Sequence, residues 1–411
     1  MLSYSTETLS FSNLLRPEVR ADPYPFYAQL RSQDPVHWDE DAGFWLLTRY
    51  ADIAAVYNDP RFSRAQGLRR GFERLPEAEQ SVAKPVYRSL SKTMFYSDPP
   101  YHTHLRGLVN TAFTPGAVER MRPYIQQTVD DLLDGVQAGR QMDAIHDLAY
   151  PLPILVIAQM LGLPAEERLR FKQWSDDLFA ILGSVPHGPG LMERAASSLA
   201  ELSGYLTELS SARRAQPKND LLTALVKAVD HGERLTEEEL IANVVILLSA
   251  GHETTSNLIG NGLLALLRHP DEMQKLRTRP KLAGPAVEEM MRYDNPVQIA
   301  YRSAAEELEI GGKHIQKGQL INSILAAGNR DPERYSEPDR FDITRDEGRH
   351  LGFGLGIHFC IGAPLVRLEA QIAFNTILRR FPGMQLATTD LEWQEHPIFR
   401  GVKSLPVTLG D

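Results

Sequence analysis

One long helical pattern near the middle of the chain limits its fold more than any other feature. Thr236-Glu237-Glu238-Glu239 reads as a capping box, with a hydroxyl at the N-cap and an acid three residues on. The pattern runs on to His269-Pro270, so the spacing predicts a helix from the Thr236 cap to about Arg268. At about 1.5 Å per residue such a helix is roughly 50 Å long, enough to cross a large domain. Eight of the ten residues from Ile241 to Ala250 are apolar, so this half must be covered on most sides. A buried rod of that length needs a thick shell of other elements, and a chain of 411 residues can supply one.

Most of that shell reads as helix. Apolar residues recur at three- and four-residue spacing in Ala117–Val136, Pro164–Leu182, Leu191–Ala215 and Asp220–Val229. Short strands are expected near Val36–Thr48, Leu308–Asn322 and Ile398–Leu409, with turns at Gly311-Gly312 and Lys317-Gly318. Ser63–Thr93 is polar with scattered apolar residues, and Gly183–Gly190 is a helix-breaking run; both read as variable stretches, either covers over a site or plain connections. No repeat or linker divides the chain. The expectation is a mostly α fold with a smaller β region, in one large domain over residues 1–411.

The apolar run of the long helix ends in Ala250-Gly251-His252-Glu253-Thr254-Thr255. Glycine inside a helix costs about 1 kcal/mol relative to alanine. An acid and two hydroxyls then follow in a segment that should be buried. Two readings stand side by side. Thr254 can bond back to the carbonyl one turn earlier while Glu253 meets a cation. Alternatively, Gly251 leaves room for a ligand against the helix, and Glu253 and Thr254 pass protons to it.

Cys360 is the only cysteine, so the chain alone can form neither a disulfide nor a multi-cysteine zinc site. By residue type, a lone cysteine is a small buried hydrophobe or a nucleophile with a remote histidine. Its setting points elsewhere. The stretch from Phe353 to Gly362 is rich in glycine and runs into a helical pattern with Leu365, Leu368 and Ile372 on one face. Cys360 therefore lies at or just before a helix N-terminus, where backbone N–H groups and the dipole favour a thiolate. Gly354 and Gly356 permit a tight turn and close approach to a flat ligand, and Phe353 is placed to shield the sulfur. Such a thiolate can ligate a soft or intermediate metal, haem iron among them.

Phe353-Gly354-Leu355-Gly356-Ile357-His358-Phe359-Cys360-Ile361-Gly362 resembles the F-G-x-G-x-H-x-C-x-G haem-ligand loop of the cytochrome P-450 superfamily. Three further stretches resemble that family in the same order. Ala250-Gly251-His252-Glu253-Thr254 is similar to its oxygen-activating segment. Glu289-Met290-Met291-Arg292 resembles its E-x-x-R pair, and Arg340 in Pro338-Asp339-Arg340-Phe341 resembles the arginine that completes a triad with them. Asp98 to Arg106 resembles the bacterial segment whose histidine and arginine bind a haem propionate. His104 stands where the family often has arginine, which leaves His102 and Arg106 in place.

The resemblance implies a haem-thiolate monooxygenase that encloses haem b, uses O2 as co-substrate and oxidises a mid-sized lipophilic molecule. Cys360 would be the axial ligand of the iron. Gly251, Glu253 and Thr254 would serve oxygen activation. His102, Arg106, Arg302 and His358 would hold the propionates, with Phe353 and Gly354 beside the ring. Met94, Phe95, Tyr96, Ile246, Ser249, Ala250, Gln298, Ile299 and Phe399 would line the substrate pocket. Electrons would come from a ferredoxin or flavodoxin with an NAD(P)H-dependent reductase, docking near Arg106, Arg349 and Arg367. A peroxide-driven enzyme would favour an arginine–proline pair over Glu253-Thr254, and a gas-binding haem protein would need no acid–alcohol pair. Net charge is −9, which argues against nucleic acid as a partner. Met1–Leu15 lacks a signal-peptide pattern and no apolar run is long enough to span a bilayer, so the expectation is a cytoplasmic monomer without a membrane anchor.

Overall fold

The central helix spans Glu237–Arg268 with Thr236 as its N-cap. Thr236 Oγ1 accepts from the Glu239 N–H at 3.3 Å, and the Glu239 carboxylate accepts from the Thr236 N–H at 2.7 Å, which closes the capping box. Every residue from Leu240 to Ser249 is buried. The helix is surrounded by Pro151–Leu161, Arg168–Phe179, Leu191–Ala215, Ala283–Tyr293 and Ala363–Arg380. A Cβ at Gly262 would lie 2.7 Å from both Met290 Sδ and Phe374 Cζ, so glycine there lets two of these helices close on the core. Asn243, a polar break in the apolar run, accepts from the Met94 N–H at 2.9 Å and donates to the Lys92 carbonyl at 3.1 Å. It thereby fastens the short turn Met94–Tyr96 over the helix.

This computed structural model describes residues 9–110, 113–136, 141–181, 190–230 and 235–410. The main sheet has strands β1 (Val36–Asp39), β2 (Phe44–Leu47), β3 (Phe62–Ser63), β4 (Ile299–Ala304) and β5 (Leu320–Ile324), in the order β1-β2-β5-β4-β3. Only the β2–β5 pairing is parallel. Ser63 pairs with Ser303 and Arg302 with Ile321, which brings the start of the next helix, Arg64–Glu73, beside Arg302. The expected turn at Gly311-Gly312 joins Leu308–Ile310 to Lys313–Ile315, both glycines taking positive φ.

Several local expectations are corrected. Ser63–Thr93 is largely helical, as Arg64–Glu73 and Glu77–Leu90, because Ser63 caps the first and the second buries Ala83 and Val86. Ala117–Val136 is broken into Pro115–Glu119 and Arg122–Asp134, since Pro123 cannot continue a helix and instead opens one. Within Pro164–Leu182 the α-helix is Arg168–Phe179, and Asp220–Val229 appears as Leu221–Asp230. Leu191–Ala215 is as expected. The C-terminal strand is only Pro406–Thr408, with Phe399 bridging singly to Val297. Gly183–Gly190 lies, apart from Gly190, outside the described residues. Among the described residues no helix is long and apolar enough to cross a membrane.

Candidate active site

Cys360 precedes the helix Ala363–Arg380, with Gly362 as its N-cap. Its N–H donates to the Phe353 carbonyl at 2.9 Å, which folds the loop back on itself. Gly354 and Gly356 have φ of 68° and 65°, and a Cβ at Gly356 would meet the Tyr57 carbonyl oxygen at 2.3 Å. No other residue fits there. Burial pushes the Cys360 thiol up, while the backbone N–H groups of Gly362 and Ala363 and the charges of Arg106 and Arg367 pull it down by less. The N–H groups at the helix start favour the thiolate as expected, but burial outweighs them; a bound metal cation would favour it further.

The sulfur faces a cavity whose far wall is the central helix, represented by Ile246, Ala250 and Thr254. Met94, Phe95, Tyr96, Ile299 and Phe399 line it as expected, and Phe179 stacks on Phe399 at 4.0 Å. Two expected lining residues do not. Gln298 is buried behind the wall, accepting from Tyr27 and donating to the Asn295 carbonyl, because its strand position alternates away from Ile299. Ser249 lies one helical step off the cavity-facing stripe and donates to the Val245 carbonyl.

The oxygen-activating segment splits between two sides of the helix. Thr254 Oγ1 donates to the Ala250 carbonyl at 3.0 Å and still lines the cavity, so the back-bonded reading and the cavity-facing one both hold. Gly251 is not the ligand-facing gap: a Cβ there would point at Ile157, 3.7 Å away, and Ala250 is the small residue on the cavity side. Glu253 does not line the cavity either. Its Oε1 accepts from Gln394 Nε2 at 2.6 Å, and one of its oxygens lies within 4.8 Å of ring or carboxylate atoms of His252 and Asp176. Burial, then the charge of Asp176, raises Glu253 to about 7. Asp176 in turn accepts from Tyr150 at 2.5 Å and pairs with the partly exposed Lys172 at 2.9 Å. Sequence reasoning missed Gln394 and Asp176, whose positions in the chain carry no local signal.

A cluster of donors occupies the cavity's other end. Arg106, Arg302 and His358 line it, and so does Arg64, which sequence reasoning missed. Among the described residues, none of the three arginines forms an ion pair with a carboxylate. Arg106 donates to the Phe359 carbonyl, and Arg302 to the Tyr301 carbonyl. His102 stacks on His358 at 4.2 Å, and both of its ring nitrogens are buried without a hydrogen-bond partner. Burial, then Arg64 and Arg302, pushes the His358 imidazolium down to about 2. A pocket this rich in unpaired positive charge calls for anions.

Glu289 and Arg292 form a buried bidentate pair at 2.7 and 2.8 Å. The arginine that joins them is Arg345, 3.4 Å from Glu289 Oε1, and not Arg340. The Arg340 side chain is 55% exposed and pairs with Glu337 and Asp342; it supplies only its carbonyl, which accepts from Arg292.

The family model of cytochrome P450 matches residues 55–279 and 281–397. This chain is a cytochrome P450. The monooxygenase PikC of Streptomyces venezuelae is 44% identical over 402 residues, covering 96% of this chain and 92% of that protein. Vitamin D(3) 25-hydroxylase of Pseudonocardia autotrophica is 41% identical, covering 95% and 94%. Among solved structures, P450BioI in complex with a hexadec-9Z-enoic acid-ligated acyl carrier protein superimposes with a TM-score of 0.88 at 38% identity, covering 95% and 99%. The protein is a P450 monooxygenase, an oxidoreductase with haem b as cofactor and O2 as co-substrate. Bacterial P450s act on small molecules with electrons from ferredoxin and reductase partners. The residues present fit haem. One thiol faces the cavity, and unpaired arginines with the orphaned His102 stand where two propionates would need donors.

Proposed function

We propose that residues 1–411 form one domain that would enclose haem and hydroxylate a mid-sized lipophilic molecule, with Cys360 as the residue that would ligate the iron and Thr254 and Glu253 as the proton route. The observation that carries this reading is that Cys360 and Thr254 face one another across a single, largely apolar cavity. Haem, when bound, supplies the activation of dioxygen and the transfer of oxygen to a C–H bond. The chain does the rest. The loop fixes the sulfur, and the buried Phe353 lines the same cavity beside it. Phe95, Tyr96, Ile246, Ile299 and Phe399 exclude water and hold an apolar substrate. Thr254 Oγ1 spends its own proton on the Ala250 carbonyl and keeps lone pairs for a proton handed to it. Glu253, poised at about 7, takes up and releases protons near neutral pH, and the partly exposed Asp176 lies within 4.8 Å of it. This acid–alcohol pair favours the O2-dependent reading over a peroxide-driven or gas-binding one.

Thr254→Ala tests the route. Product per electron pair is expected to fall by about tenfold or more, with peroxide making up the difference. Unchanged coupling would remove Thr254 from the mechanism.

The electron donor, a ferredoxin or flavodoxin with its reductase, is proposed to dock on the thiolate side. Arg367 is tied to Glu288 at 2.6 and 2.8 Å and Arg106 is turned inward, so Arg349 is the exposed charge of the expected three. Ile357, 50% exposed in the cysteine loop, offers an apolar contact on the same segment. Arg349→Glu is expected to slow reduction about tenfold at low ionic strength, with the gap closing in high salt. Equal rates at low salt would move the docking site elsewhere.

A further inference from the structure

We propose that His252, Glu253 and Asp176 form a binding site for a divalent cation of the zinc class, outside the main cavity, and that a metal seated there takes Glu253 out of the proton route. Its effect on turnover rests on the proton route proposed above. One ligand-capable atom of each residue lies within 4.8 Å of the other two. His252 and Glu253 come from the central helix, and Asp176 comes from the helix Arg168–Phe179 packed against it.

Two acids near one another are common without a metal, and His252 sets this group apart. Its side chain is fully buried, and both ring nitrogens lack a hydrogen-bond partner. Buried imidazole nitrogens are ordinarily met by a donor or an acceptor, so an orphaned pair points to a missing partner. The Tyr150 ring stands edge-on to the imidazole at 4.4 Å. Burial favours the neutral ring, which offers a lone pair. One imidazole and two carboxylates suit zinc, with bonds of about 2.0–2.2 Å and a water in the fourth position. Ligand atoms around such an ion stand roughly 3.4 Å apart, so both carboxylates must turn inward slightly. Asp176 has room to do so. Its side chain is 38% exposed, which also opens a way in from solvent, and it holds Lys172, itself 44% exposed, at 2.9 Å and Tyr150 at 2.5 Å. A pair as exposed as Asp176 and Lys172 contributes little and yields to a doubly charged ion. Gln394 binds Glu253 through Oε1 and leaves Oε2 for the metal. Zinc takes the carboxylate and not the acid, so its arrival releases any Glu253 proton to solvent and keeps that residue from carrying another.

The test titrates ferric holoenzyme with zinc chloride in competition with a chromophoric zinc chelator, and the wild type is expected to compete in the micromolar range. His252→Leu removes a ligand and keeps the space apolar. It should weaken zinc by about a hundredfold or more, at least the loss seen when a mere outer partner of a metal ligand is removed. Asp176→Asn, at a partly exposed position, should weaken it likewise and serves if the leucine variant does not fold. A wild type that leaves the chelator saturated, or variants that bind zinc as tightly as the wild type, overturn the site. Coupling is then measured at a zinc level that fills the wild-type site. Product per electron pair is expected to fall about tenfold, to recover on addition of EDTA, and to be insensitive to zinc in His252→Leu. If zinc binding depends on His252 while coupling is unchanged, the metal site stands and the part assigned to Glu253 in the proton route is overturned.

Discussion

Cys360→Ser is expected to abolish the red-shifted Soret band of the reduced, carbon-monoxide-bound protein and to lower turnover to about a thousandth or less. The change replaces one atom. The loop is held by the Cys360 N–H to Phe353 carbonyl bond and by the left-handed glycines Gly354 and Gly356, none of which involves sulfur. Fold and cavity should therefore survive, and far-ultraviolet circular dichroism should match wild type. What would be lost is the thiolate that would ligate haem iron and donate electron density to it. A barrier raised by only about 4 kcal/mol already gives a thousandfold loss. A variant that keeps the thiolate band would show that another group ligates iron.

Arg292→Leu is expected to be the costliest change to stability, at about 3–5 kcal/mol, because it leaves the buried Glu289 carboxylate with much of its pairing gone. Arg292 holds Glu289 through two bonds and also donates to the carbonyls of Asn329, Pro338 and Arg340 at 3.0, 2.7 and 3.1 Å. It therefore ties the helix Ala283–Tyr293 to the segment that leads into the cysteine loop. Against a total stability of about 5–15 kcal/mol, the loss leaves a marginal protein. Arg340→Ala should cost less than about 1 kcal/mol, as for exposed pairs. Arg345→Ala should fall between them. Urea denaturation of the three variants decides the assignment, and an Arg340→Ala loss as large as that of Arg292→Leu would restore Arg340 to the network.

The proton route and the ion network show how far sequence reasoning reaches. The E-x-x-R spacing placed Glu289 and Arg292 on one helical face, and they meet there. Spacing does not separate Arg345 from Arg340 as the third arginine, because both lie in one irregular segment and only its path decides which side chain turns inward. A glycine inside the helix, Gly251, suggests a gap for ligand there. The residue type was informative, yet the direction of its missing side chain depends on helix phase, which Ile157 on another helix defines.

What the sequence determined by itself was local: the capped central helix, the glycine turn that presents Cys360, and the helix that follows it. Their hydrogen bonds close within a few residues, so composition and spacing suffice. What only the tertiary structure decided was which distant side chains share a space. Glu253 finds Gln394 across 141 residues, and Arg64 reaches the Tyr301 carbonyl across 237. Such pairs leave no periodicity in the chain, because strand register and helix packing create them only when the whole fold closes.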